Sequence, residues 1–375
     1  MKILHIITGL GRGGAETLLY QFCIHDKEYE HIVISLSGTQ DYSLKLRRLN
    51  ISVHSLNFSN SKISIKGLYK LYKLIRQIKP DIIQTWMIHA DMVGGIVGRL
   101  AGIKNIFWGV HHSNLTGRKS KNTTRLIIKV NSILSYFIPK KIIYCANSSK
   151  KIQESIGFKK SIGVVISNGY NTNIFKNNDT FRKSFRNEHN ISDDTFIIGH
   201  VGRYSPLKDQ TTLIEAFHIL EQKGYKFKLV LVGTNLDRNN IDLVSFLNKK
   251  ELSDKVLLLG RRDDIPKIMN GIDLFVLSSI TEAFPNVLNE AMACGTPCVS
   301  TNVGDSSLII DSTGWVTQKK NQKVLANSIT EAYEEKKLKN TLWLKRKLAC
   351  RDRIVKNFSL EEMIKRYKDI WRENS

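Results

Sequence analysis

The sequence has no apolar run near the ~18–20 residues a helix needs to cross a bilayer, so no segment reads as a membrane span. Proline is sparse, 6 in 375 residues, and the 24 glycines follow no period, which excludes a fibrous chain. Cysteine is low and odd in number. Cys23, Cys145, Cys294, Cys298 and Cys350 form no set of paired spacings, which points to reduced thiols in a reducing compartment. Cys294 and Cys298 stand four apart with no second Cys or His pair near them, so no metal site is expected there. No small-residue cleavage site follows the apolar start MKILHII, so that start reads as a buried strand and the expected location is the cytoplasm. The phosphate-binding pattern G-x-x-x-x-G-K-S/T is missing as well, which leaves a P-loop nucleotidase unsupported.

Acids are scarce in one half only. Residues 1–170 hold 25 Lys and Arg against 8 Asp and Glu, whereas residues 171–375 hold 32 against 26. A composition bias toward Lys would raise both halves alike. A basic first half calls for an anionic partner: lipid headgroups, a phosphorylated substrate or nucleic acid. No basic recognition helix and no aromatic-basic strand pattern supports nucleic acid.

What is present is ordinary for a folded soluble chain, 42% hydrophobic and 24% charged. One core rarely grows past about 250–300 residues, so two domains are expected. Short β-branched runs at 3–8, 31–36, 51–56, 81–86, 105–110, 141–146 and 163–167 alternate with helical patterns. A turn at Ser167-Asn168-Gly169 and a polar stretch over 171–179 interrupt the rhythm. It restarts with runs at 196–202, 227–233, 255–260, 273–278 and 297–301. That is the pattern of two successive α/β domains with parallel sheets, 1–170 and 171–357. A Lys-rich helical region fills 321–357, and the amphipathic stretch 360–371 has no strand after it; the segment 358–375 is expected to pack back on the first domain.

Three segments carry the chemistry. The first is Gly9-Leu10-Gly11-Arg12-Gly13-Gly14, between the first strand and a helix. Glycines there let the backbone approach a phosphate or sugar at a helix N-terminus. The spacing fits the dinucleotide fingerprint, but the second strand ends Ser35-Leu36-Ser37-Gly38 without the acid that would hold a ribose, which argues against an NAD-dependent oxidoreductase. The second is Gly202-Arg203-Tyr204-Ser205-Pro206-Leu207-Lys208-Asp209, whose two cations can grip one diphosphate, Arg as a planar fork and Lys as a mobile charge. The third runs from Ser278 through Glu282-Ala283-Phe284-Pro285-Asn286-Val287 to Glu290 and Gly295. Pro285 suits the first turn of a helix beginning near Phe284. Glu282 lies just before that helix and Glu290 inside it, both able to face the carboxyl edge of a sheet, where open α/β folds bind ligands.

These segments, in this order and spacing, resemble the family-4 type of retaining glycosyltransferases with the GT-B fold, which build bacterial surface polysaccharides. The resemblance covers nearly the whole chain. Glu282 to Glu290 is similar to the family's E-x₇-E, Gly202-Arg203 with Lys208-Asp209 to its diphosphate clamp, and Gly11–Ala15 to its first loop. Ser167-Asn168-Gly169 with Phe175 is similar to its interdomain crossing, and Gly295-Thr296-Pro297-Cys298-Val299 with Val303-Gly304 to the segment after the signature.

The resemblance implies two Rossmann-like domains facing a central cleft. It implies transfer of a hexose or N-acetylhexosamine from a nucleoside diphosphate sugar, a UDP-sugar, to a lipid-linked saccharide, in O-antigen or capsule synthesis. Arg203 and Lys208 would stabilise the leaving diphosphate, and Glu290 would hold the ribose. Glu282 and the backbone of Phe284, Pro285, Asn286 and Val287 would hold sugar and phosphates. The loop beginning at Arg261 would meet the base, and Gly11, Gly13, Gly14 and a histidine of the first domain would close over the sugar. Two histidines compete, His111 and His112; counting from the strand start favours His111. The position after Glu282, often Gly in that family, is Ala283 here. No Asp-x-Asp occurs, so cations and helix N-termini are expected to neutralise the diphosphate without a metal, and no cofactor is expected. The basic first half is expected to dock on the anionic inner leaflet, through two segments that mix cations with apolar residues, 62–79 and 119–141.

Overall fold

A computed structural model describes residues 1–11, 13–58, 64–111 and 122–374. The chain divides into two compact units, residues 1–169 with 360–375, and residues 170–359. Each is a parallel sheet with helices on both faces.

In the first unit, β1 (Lys2–Ile7), β2 (Glu30–Ser35), β3 (Ser52–Ser55), β4 (Ile82–Trp86), β5 (Ile106–Val110), β6 (Lys141–Tyr144) and β7 (Gly163–Val165) alternate with helices α1 (Gly14–His25), α2 (Asp41–Arg48), α3 (Ile65–Ile78), α4 (Ile88–Leu100), α5 (Asn122–Leu134) and α6 (Asn147–Ser155). The strand order is β3-β2-β1-β4-β5-β6-β7, all parallel. β1, β4 and β5 are buried along almost their whole lengths, as strands covered on both faces must be. Side chains from α3, α4 and α5 share one core with alternate strand residues, and α1 shares the other. Each fully buried Leu, Ile or Val in such a layer contributes roughly 1.5–3 kcal/mol.

The second unit begins with α7 (Asp179–Glu188) and continues β8 (Phe196–Val201), α8 (Gln210–Gln222), β9 (Phe227–Val232), α9 (Ile241–Lys249), β10 (Val256–Leu258), α10 (Ile265–Gly271), β11 (Leu274–Leu277), α11 (Asn286–Ala293), β12 (Cys298–Thr301), α12 (Ser306–Ile310), β13 (Trp315–Thr317), α13 (Gln322–Leu338) and α14 (Asn340–Asn357). Its sheet runs β10-β9-β8-β11-β12-β13, again all parallel. The last helix, α15 (Leu360–Glu373), belongs to the first unit, where Tyr367 and Trp371 lie edge-on to Phe22 or tilted against it.

Two local expectations are corrected. The second sheet has a sixth strand, β13, which three residues at the sheet edge are too few to announce. The polar stretch from 171 runs irregular up to α7, which begins at Asp179 and is capped by the Asn178 side chain accepting from Phe181 N–H at 3.0 Å. The signature helix starts at Asn286, with Pro285 as its N-cap rather than inside its first turn. In each sheet the strand order reverses once, between β1 and β4 and between β8 and β11. Ligand crevices of open α/β sheets form at such reversals, at the strands' carboxyl ends.

Candidate active site

At the β8/β11 reversal, the loops leaving the two strands are stitched together. Ile280 N–H donates to Leu207 O at 2.8 Å, and Ser278 Oγ donates to Lys208 O at 3.0 Å. The result is an ion pair: Lys208 Nζ donates to Glu282 Oε1 at 2.6 Å, and Ser279 Oγ donates to the same oxygen at 2.6 Å. Both partners are partly buried. Lys208 is therefore answered by Glu282. Arg203 is different: it is exposed, and its guanidinium has no hydrogen-bond or ionic partner among the described residues.

Two buried side chains that sequence reasoning missed support the Arg203 turn. His200 Nδ1 donates to Val276 O at 3.0 Å, so its Nε2 is the acceptor, facing Gln210 Nε2 at 3.1 Å. The same Gln210 amide donates to Arg203 O at 3.0 Å. Burial lowers the His200 pKa to about 4, which keeps that tautomer neutral at any ordinary pH. Gly233, with φ of +144°, lets the β9 loop touch the β8 loop: a Cβ there would sit 2.1 Å from Gly202 O. A hydroxyl or methyl-bearing residue at this crossing would force the loops apart.

The signature segment is arranged by backbone. Asp305 N–H donates to Ala283 O at 3.0 Å, and at Gly304, with φ of +54°, a Cβ would lie 2.3 Å from that oxygen. Phe284 is buried with its ring 5.7 Å from Phe358, so only its backbone is offered to a ligand. Asn286 Oδ1 accepts from Tyr170 Oη at 2.5 Å, while Val287 is partly exposed. No side chain caps α11 among the described residues. Glu290 stands in the second turn, half-buried and without an ion-pair partner among the described residues; burial pushes its pKa up to about 7. Arg261 is exposed, and its neighbour Arg262 is spent on Asp264 at 2.7 Å and Glu188 at 3.1 Å.

In the first unit, Gly11, Gly13 and Gly14 lie where β1 turns into α1. The turn is held by Gln40, another residue no motif announced, whose Oε1 accepts from Leu10 N–H at 2.6 Å. Gly13 is the N-cap, extended at φ −144°, and the Glu16 carboxyl folds against it, 2.3 Å from where a Cβ would stand. His111, one residue past β5, stacks on Trp86 with centroids 4.9 Å apart and planes at 15°. His112 lies outside the described residues.

Beneath Trp86 runs a buried polar chain. Trp86 Nε1 can only donate, so His5 Nδ1 accepts at 3.1 Å. Neutral His5 then donates from Nε2 to His31 Nδ1 at 3.0 Å, and His31 Nε2–H donates to Asp26 Oδ2 at 3.1 Å. Ligand-type atoms of His5, Cys23 and His31 lie within 4.8 Å of one another. A metal on His5 Nε2 would require Nδ1–H, which would confront the Trp86 N–H. His5, His31 and Asp26 form a proton-ordered strut, and it fixes the Trp86 ring on which His111 rests.

Two parallel-sheet Rossmann-like units of this order define the GT-B architecture. Two family models divide the chain between them: "Glycosyltransferase Family 4" matches residues 12–174 and "Glycosyl transferases group 1" matches 181–343. The chain belongs to the family-4 type of GT-B glycosyltransferases. It is similar to the UDP-Gal:alpha-D-GlcNAc-diphosphoundecaprenol alpha-1,3-galactosyltransferase of Escherichia coli, 27% identical over 315 residues, 82% of this chain and 79% of that protein. It is also similar to the capsular polysaccharide biosynthesis glycosyltransferase CapM of Staphylococcus aureus, 25% identical over 83% of this chain and 82% of that one. Among solved structures, HepE of Anabaena in complex with UDP superposes with a TM-score of 0.86 at 22% identity, covering all of both chains.

Proposed function

We propose that the protein is a retaining, metal-independent hexosyltransferase that moves a hexose or N-acetylhexosamine from a UDP-sugar to a lipid-linked saccharide in surface polysaccharide synthesis. The observation that carries the reading is the β8/β11 crevice, where an unpaired Arg203 stands on the loop that also bears the Lys208–Glu282 pair. The choice of donor and acceptor is supported by the E. coli relative, named for UDP-Gal and a diphosphoundecaprenol acceptor, and by UDP in the Anabaena structure.

Arg203 supplies a fork for the diphosphate. Lys208 is held by Glu282 and released toward the phosphates as negative charge develops on the leaving group, while Glu282 turns to the sugar hydroxyls. Glu290 takes the two ribose hydroxyls, and the backbone of residues 284–287 holds sugar and phosphates. Arg261 meets the base. His111, oriented by Trp86, and the turn at Gly11–Gly14 serve the acceptor-side unit. In a retaining transfer the acceptor oxygen bonds to the anomeric carbon on the face the diphosphate leaves. A leaving phosphate oxygen takes the acceptor proton, so no separate base is needed.

No described helix is long and apolar enough to cross a membrane. Work on a lipid-linked acceptor would take place with the basic first unit docked on the inner leaflet. The test is thermal shift against UDP-sugars, GDP-sugars and NAD, then mass analysis of a prenyl-diphosphate-linked acceptor with and without EDTA. Stabilisation by a UDP-sugar and product in EDTA are expected. Response to NAD alone, or activity abolished by EDTA and restored by Mg²⁺ or Mn²⁺, overturns the corresponding part.

A further inference from the structure

Between α3 and α4 lies an open groove of about 570 Å³, within the range of about 300–1,000 Å³ typical of small-ligand sites. One wall is Leu68, Tyr69 and Tyr72, the other Met92, Ile96 and Leu100. Such large apolar side chains are expected inside, yet Tyr69 is 57% exposed, Ile96 37% and Leu100 72%, and Ile65 at the mouth is 87% exposed.

The groove has a direction. Helices that follow parallel strands begin at the strands' carboxyl edge, so Ile65 and Met92 mark the end nearest the edge that carries the Gly11–Gly14 turn and His111. Beyond the other end Arg76 Nη1 reaches Ala101 O at 3.5 Å, tying α3 to the end of α4. The rim is basic. Lys66, Lys70 and Lys73 are exposed along α3, without carboxylate partners among the described residues, and Lys73 lies over the Tyr69 ring at 4.8 Å. No acid offsets them: α3 has none, and Asp91, the single acid of α4, is buried.

We infer that this groove binds the polyisoprenoid chain of the acceptor, one apolar chain attached to an anionic diphosphate, laid along α3 with its head at the sheet's carboxyl edge. The inference rests on the transferase reading for the identity of that lipid. A furrow with two apolar walls and cations along one side matches a chain with a charged head. A flat bilayer surface would need no furrow.

The test uses the full chain and farnesyl diphosphate below its aggregation concentration, read by calorimetry, with farnesol, inorganic pyrophosphate and anionic vesicles free of prenyl lipid as separate arms. UDP binding is measured on every variant, so that loss of the transferase reading is seen independently of the groove. Farnesyl diphosphate should bind the wild type more tightly than pyrophosphate, and any pyrophosphate binding, expected at the Arg203–Lys208 clamp, should be the same in the groove variant. The surface variant Tyr69→Glu/Ile96→Glu should weaken it at least about tenfold with UDP affinity unchanged. The rim variant Lys66→Glu/Lys70→Glu/Lys73→Glu should weaken farnesyl diphosphate and leave farnesol unaffected. Unchanged farnesyl diphosphate binding in the groove variant overturns the proposal, as does loss confined to the vesicle arm. Absence of binding to the wild type overturns it too.

Discussion

In the second unit several acids hold two or more cations or a bidentate one. Asp273 is buried among Arg182, Arg186 and Lys336, Glu188 holds Arg262 and Lys267, and Glu335 takes Arg346. These cations keep the Asp273 carboxyl below its ordinary range despite burial. In the first unit, described acids such as Asp26 and Glu28 are engaged with α15, through Lys368 and Arg372, and the lysines of α3 are left over. The two sheets share a topology, so the difference is not one of fold. Beside these internally matched charges, Arg203 stands unpaired at the strand-order reversal. Where cations are unmatched over an apolar groove, the surplus points outward to an anionic lipid.

The sharpest way to break this comparison is to remove the unmatched charge. Arg203→Ala should cut turnover about 10²–10³-fold, as loss of one contact to a developing anion does. Lys208→Ala and Glu282→Ala should each be damaging, but the double variant should fall short of the product of the two, since one 2.6 Å contact is shared. Strict multiplicativity in single-turnover rates would mean that the pair does not act as a unit.

A smaller effect separates loop geometry from charge. Gly233→Ala should cost about 1–3 kcal/mol of stability, read by thermal or denaturant unfolding, because the new Cβ meets Gly202 O. Gly224→Ala is the control. It too has positive φ, +80°, but nothing lies within 4 Å of its Cβ, so its loss should be the lesser. Equal losses would show that φ strain alone matters at Gly233.

The mildest effect is on pH. Glu290 is protonated in the folded protein up to about pH 7, and a ribose contact needs the carboxylate. UDP affinity should therefore rise as pH increases from 6 to 8, and Glu290→Gln should flatten that rise. Stability has the opposite sign: the raised pKa favours the folded state at low pH, and that contribution is lost as pH climbs from the unfolded value toward 7. A wild-type affinity that is level across this range would remove Glu290 from the ribose.

Much of this was legible in the residues. Alternating apolar runs gave the two parallel sheets because buried strands and amphipathic helices have distinct periods. The glycines at 233 and 304 follow strands, where close backbone approach leaves no room for a Cβ. Glu282, Glu290, Arg203 and Lys208 could be singled out by spacing together with the family resemblance. The partnerships could not. Nothing in the sequence ties Lys208 to a carboxylate 74 positions away. Gln40, Gln210 and His200 belong to no motif, because their roles are hydrogen bonds to backbone atoms that only the fold brings near. The His5–His31–Asp26 strut is of this kind too, since its polarity follows from a single donor, Trp86, that arrives from a different strand. Local sequence determined the elements and the chemistry available at their ends, because propensity and periodicity act over a few residues. Only the tertiary structure decided which charges cancel, which remain, and where apolar side chains stay uncovered, because those are properties of surfaces that meet after the chain has folded.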